Sequence, residues 1–102
     1  MKRNYWTIVE ILETFEVEEQ FLIKLEKEDI LHPMADEERI EKRYDPDEVE
    51  NLRLAKILME EMDVNLPGVE IILHMRRNML EMRRQFDAIL EDLAKKLKNN
   101  LP

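Results

Sequence analysis

Asn65-Leu66-Pro67-Gly68-Val69-Glu70-Ile71-Ile72-Leu73 is the stretch on which the fold turns. Asn65 has a side-chain oxygen suited to capping a helix. Pro67 and Gly68 then fall in the first turn, where backbone N–H groups lack intrahelical partners and a missing one costs little. Downstream, apolar residues recur at Ile72, Met75, Met79, Met82, Phe86, Ile89 and Leu93, alternately three and four apart. This is a heptad a/d seam, and it predicts a long helix that pairs with a second helix as a coiled coil. Leu90 and Leu97 occupy e positions and widen the apolar stripe. Residues 64–102 are therefore expected to form a dimerisation helix with those seven residues at the contact and a frayed end over 99–102. The spacing leaves the orientation of the coil open.

Upstream, the chain reads as a compact head over residues 1–63. Thr7-Ile8-Val9-Glu10 has the capping-box pattern, and Ile8, Ile11, Leu12 and Phe15 follow at helical spacing, which predicts a short helix over 7–15. Glu18 and Glu19 suit the positive end of a second helix, with Phe21, Leu22 and Leu25 facing inward and an end near Lys27. Pro33 biases the residue before it away from helix, so Ile30 to Met34 is expected to be extended. Residues 35–38 would turn, and Arg39 to Tyr44 would return as the second strand of a small hairpin. Asp45-Pro46-Asp47-Glu48 starts a helix, with Asp45 as cap, Pro46 in the first position and acids in the first turn. Its apolar residues run from Val49 to Met62.

Composition narrows the function. The 102 residues contain no Cys, which excludes disulfide scaffolds, thiol catalysis and thiolate metal sites, and fits a reducing cytoplasm. No apolar run approaches the roughly 20 residues of a membrane span, and the first residues lead into periodic sequence without a signal peptide. Charge is segregated. Residues 7–63 hold 19 acids against 7 bases, net −12, whereas residues 64–102 hold 5 against 7, net +2, and Lys2 with Arg3 complete the total of −8. An acidic head repels a phosphate backbone, because non-specific nucleic-acid affinity comes from Lys and Arg displacing counterions. A basic protein is the better-matched partner.

Catalysis finds no footing. Glu18-Glu19, Glu37-Glu38 and Glu60-Glu61 are adjacent acids, but neighbours on a helix diverge by about 100° and cannot share a reacting group. No Gly-rich phosphate loop, nucleophile–base pair or metal-ligand spacing occurs, and no cofactor is expected. His32 and His74 are too separated for a site of their own and read as surface or packing residues. Arg76, Arg77, Arg83 and Arg84 repeat at a seven-residue interval and read as a solvated stripe offsetting the acidic head. Met75, Met79 and Met82 read as ordinary coil core, although methionine also suits an adaptable groove.

The order helix, helix, hairpin, helix, long pairing helix resembles a MerR-like winged helix-turn-helix. Val17-Glu18-Glu19-Gln20-Phe21-Leu22 followed by Leu25 and Ile30-Leu31-His32-Pro33 resembles the second helix and the start of the wing in that family. Lys42-Arg43-Tyr44-Asp45 resembles its Arg-Arg-Tyr-Ser exit from the wing, and Asn65-Leu66-Pro67-Gly68-Val69 its Asn-x-x-Gly-Ile turn before the dimerising helix. The implied fold is mostly α, with a small β-hairpin wing and a long C-terminal dimerisation helix. MerR-type regulators carry Thr-Leu-Arg-Tyr-Tyr-Glu on the second helix, with the Arg and a Tyr directed at DNA. Here the matching string is Phe21-Leu22-Ile23-Lys24-Leu25-Glu26, with Ile23 where the Arg would stand.

Loss of those donors, with the Pro-Gly turn, is similar to the chaperone modulators of the CbpM type. The resemblance implies a homodimer that binds the J-domain of a DnaJ-like, CbpA-type co-chaperone and inhibits its activity. The J-domain contact would then draw on Glu18, Glu19, Ile23, Glu26, Glu28, Asp29, Glu37, Glu38 and Glu41, a set that reads equally as a solvated acidic face. The rival is a MerR-family transcription regulator using Lys24, Lys27, Arg39, Lys42 and Arg43 on phosphates. A dimeric scaffold for some other protein is the third reading. DNA binding is not expected, because the basic residues sit among more numerous acids.

Overall fold

The computed structural model describes residues 4–35 and 41–101. Its elements run β1 (Trp6–Thr7), α1 (Ile8–Phe15), α2 (Glu19–Lys27), β2 (Arg43–Tyr44), α3 (Pro46–Glu60) and α4 (Leu66–Asn99). Three of the four helices, α1, α3 and α4, start where the sequence supplies a side-chain partner for the free N–H groups. Thr7 accepts from the Glu10 amide at 3.2 Å while Glu10 Oε1 accepts from the Thr7 amide at 3.3 Å, completing the capping box. Pro46 opens α3 behind Asp45, and Asn65 Oδ1 accepts from the Gly68 amide at 2.9 Å to open α4. The end of α2 is closed by Asp29 in the left-handed region (φ 61°), which lets the Ile30 amide reach back to the Leu25 carbonyl at 2.9 Å.

One hydrophobic core joins the head to the base of α4. Ile11, Leu22, Leu25, Ile30, Leu31, Tyr44, Val49, Leu52 and Ala55 are buried together with Val69 and Leu73. Trp6 packs on Phe15 with ring centroids 6.0 Å apart at the edge of this core. The fully buried part of α4 ends at Leu73, and the helix still flanks a cleft with the start of α3 as far as Arg84. At about 1.5 Å per residue its 34 residues extend roughly 51 Å, so its C-terminal part projects away, and the molecule measures 63 × 36 × 22 Å.

The sheet differs from the expected hairpin in its pairing. β2 pairs antiparallel with β1, Trp6 opposite Tyr44 and Thr7 opposite Arg43. The extended segment 30–34 meets β2 through a bond from the Met34 amide to the Arg43 carbonyl, at 2.8 Å. The return strand is two residues long because its N-terminal part is rich in Glu and Lys, which form strands poorly, whereas Trp6 and Thr7 suit an extended edge. The expected turn at 35–38 falls largely outside the described residues, as do Glu37, Glu38 and Arg39. Helix α3 stops at Glu60 instead of Met62 because the Val64 amide bonds back to the Leu58 carbonyl at 2.9 Å and Asp63 takes a left-handed φ of 54°.

Candidate partner-binding surface

Helix α2 has two distinct sides. Leu22 and Leu25 anchor its inner side in the core, which leaves Glu19, Gln20, Ile23, Lys24, Lys27 and Glu28 facing outward. Ile23 is 52% exposed in the middle of that outward side. It is a single exposed aliphatic side chain at the centre of a charged helix face, not an extended apolar patch. Two carboxylates, Glu19 and Glu28, balance two ammonium groups, Lys24 and Lys27, along the same face.

The acids singled out from the sequence separate into different environments. Glu18 caps α2 without a side-chain cap bond and is exposed, as are Glu19, Glu28 and Glu41. Glu26 instead turns toward the wing. Its side chain is 16% exposed, accepts from the buried Tyr44 hydroxyl at 3.0 Å and pairs with Lys42 Nζ at 3.1 Å. Burial, then the adjacent Glu26 charge, pushes the Tyr44 phenol well above its ordinary range, so the phenol remains a donor. Glu26 is thus a strut between α2 and β2. Lys42, one of the candidate phosphate contacts, is committed to it, and Arg43 lies 4.1 Å over the Tyr5 ring.

Asp29 is also engaged. His32 Nε2 lies 2.7 Å from Asp29 Oδ1 and its Nδ1 3.1 Å from Glu48 Oε1, while the His32 amide donates to the same Glu48 oxygen at 2.7 Å. A neutral imidazole has one N–H and can donate to only one of these carboxylates, so the arrangement favours the imidazolium. The Asp29 bond raises the pKa, partial burial opposes it, and Glu48 raises it further. Asp29 and Glu48 lie on separate elements, and His32 clasps the start of the wing to α3.

A cleft of about 400 Å³ beside the start of α2 is lined by Glu16, Val17, Glu18, Gln20, Phe21, Lys24 and Glu60. Three carboxylates rim it and the half-buried Val17 and Phe21 form its apolar part. Glu60 comes from the far end of α3, and no spacing in the sequence could have joined it to Glu16. The structure thus brings Glu18 together with two acids that sequence reasoning had left out, and it leaves Glu28 at the opposite end of α2.

The predicted seam forms one continuous stripe on α4. Ile72, Met75, Met79, Met82, Phe86, Ile89 and Leu93 are all exposed in the single chain, and Leu90 and Leu97 lie exposed beside them. A three-helix head with a short sheet, followed by a long projecting helix, makes the order expected of one regulatory family, and the family model described as MerR HTH family regulatory protein matches residues 6–93. The chain belongs to the MerR helix-turn-helix family. No curated protein matches it. The MerR match spans β1 through Leu93, the last seam residue, so head and projecting helix both fall within it. Among the described residues of this MerR-family chain, no helix is long and apolar enough to cross a membrane, and no group of three or more His, Cys, Asp or Glu could hold a metal ion.

Proposed function

We propose that this MerR-family chain is a protein-binding, non-enzymatic modulator of the CbpM type. It holds the J-domain of a DnaJ-like, CbpA-type co-chaperone in the cytoplasm and blocks the surface with which that domain engages Hsp70. The observation that carries this reading is Ile23. A base-reading helix needs donors at its centre, and here the centre of the outward face is an exposed aliphatic side chain, on a helix whose start borders an acid-rimmed cleft. The Hsp70-facing helix of a J-domain is basic. Glu16, Glu18 and Glu60 complement it, while Ile23, Val17 and Phe21 offer the apolar anchors that usually carry most of the affinity.

The acting unit is a homodimer formed through α4. Nine exposed side chains on and beside the seam, at roughly 100 Å² each, would cover on the order of 900 Å² per copy, comparable with the ~800 Å² per partner of a stable interface. An antiparallel coil suits the charge. It sets the two heads, each −12 over residues 7–63, at opposite ends of helices far longer than the ~8 Å screening length, whereas a parallel coil would put them side by side.

The test is the ATPase of an Hsp70 stimulated by a J-domain co-chaperone. Added chain should suppress the stimulated rate and leave the basal rate unchanged, and an Ile23→Lys variant should suppress it far less. Full stimulation at saturating chain would overturn the proposal. A second reading, a DNA-binding regulator, draws on one observation: Lys24 and Lys27 are both exposed on the outward face of α2. Retardation of random-sequence duplex that is lost in Lys24→Ala/Lys27→Ala would favour it.

A further inference from the structure

All the sulfur in this chain is methionine: seven Met and no Cys. Met75, Met79 and Met82 occupy three consecutive layers of the α4 seam and are 64%, 63% and 68% exposed in the single chain. Met59, in contrast, packs part-buried against the head core. The three seam thioethers are shielded only when a second copy covers the stripe. They are open to small oxidants whenever it leaves.

We propose that Met75, Met79 and Met82 form an oxidation site through which peroxide releases and holds apart the two copies, an inference that rests on the dimer proposed above. The reaction is a two-electron oxygen transfer. A thioether lone pair attacks one oxygen of hydrogen peroxide, the O–O bond breaks as the S–O bond forms, and the other oxygen leaves as water after proton transfer. Sulfur is oxidised and peroxide reduced, with no further reactant. No thiol in the chain competes for the oxidant.

A sulfoxide at a seam position is a strong acceptor that meets the apolar layers of Ile72, Phe86 and Ile89. Closing the seam would strip water from it without supplying a donor, and three such layers per copy compound the loss. Dissociated chain is the reactive species, so oxidation draws down the dimer by mass action and the product cannot re-pair. Reduction by the two methionine sulfoxide reductases, one per epimer, would restore the apolar stripe. Oxidation at these positions should be faster in dilute than in concentrated chain. A merely exposed methionine such as Met34, 45% exposed on the wing, would show no such dependence.

The experiment uses the full chain, treated with hydrogen peroxide, with sedimentation velocity for assembly and peptide mass mapping for each Met. The comparison is Met75→Leu/Met79→Leu/Met82→Leu, which keeps the seam apolar and retains the other four Met as internal controls. Wild type should pass from dimer to folded monomer, with dimerisation weakened about a hundredfold or more, and recover after reductase treatment. The Leu variant should stay dimeric. An untreated wild type that sediments as a monomer would remove the dimer and the switch with it. A wild type that starts dimeric and stays so with sulfoxides mapped at all three positions would refute the switch alone, as would dissociation of the peroxide-treated Leu variant.

Discussion

Replacing Tyr44 by Phe deletes one oxygen and leaves the ring in place. Tyr44 is fully buried, and its hydroxyl donates to Glu26 at 3.0 Å. A hydrogen bond to a charged group contributes ~1.5–3 kcal/mol, and the cost rises when the abandoned partner is left buried and unpaired. Glu26 would not be abandoned. Lys42 Nζ stays 3.1 Å from its other oxygen, and its side chain keeps 16% exposure. The loss therefore belongs at the low end, about 1.5 kcal/mol, and Phe fills the same volume, so no cavity adds to it. In urea, with m in the range ~1–3 kcal/mol/M, the midpoint should fall by roughly 0.5–1.5 M with m unchanged. The comparison needs one fixed chain concentration, because pairing through α4 would couple stability to it. A cycle with Glu26→Gln should show coupling of about 1 kcal/mol between the two sites. A midpoint within ~0.2 M of wild type, or two losses that simply add, would refute the role assigned to this strut.

Two further perturbations test the local physics. Gly68→Ala, which helix propensity alone would make stabilising by about 1 kcal/mol, should instead destabilise, because a Cβ there would stand 2.8 Å from Val64 Cγ1 and 3.1 Å from the capping Asn65 oxygen. A raised urea midpoint would contradict that. His32 has its pKa raised in the folded chain, so the stability it contributes is fully present below the ordinary value of 6.5 and is lost as pH rises through the folded value. The gap in urea midpoint between wild type and His32→Gln should therefore shrink from about pH 6 to about pH 9, and a gap that stays constant or widens would show that the clasp does not act through its proton.

Periodicity carried most of the helical layout. The 3-4 spacing from Ile72 to Leu93 needs no tertiary context, and Thr7, Asp45 and Asn65 announce helix starts through local hydrogen bonds only three residues long or less. β1 was hidden because Trp6 and Thr7 become a strand only where Tyr44 and Arg43 lie alongside, far away in sequence. The surface was half legible. Ile23 stands out as an aliphatic among charges, yet Glu26, Glu28 and Asp29 look alike in sequence, and only the fold turns Glu26 onto Tyr44 and Asp29 onto His32 while leaving Glu28 in water. Glu16 and Glu60 join the rim of one cleft through the packing of α3 beside the α1–α2 turn, which no local pattern encodes.

In the proposed function the acidic head, with Ile23 at its face, receives a basic protein surface in preference to a nucleic acid. Calorimetric titration of the chain with a J-domain from the same source, at low and at high salt, with random-sequence duplex DNA titrated in parallel, tests it most directly. Saturable heat with the J-domain that weakens but persists at high salt, beside none with the duplex, is the predicted result, since salt screens the carboxylates and leaves the apolar anchors. Silence with the J-domain together with strongly salt-dependent heat from the duplex would overturn the proposed function and place Lys24 and Lys27 on phosphates.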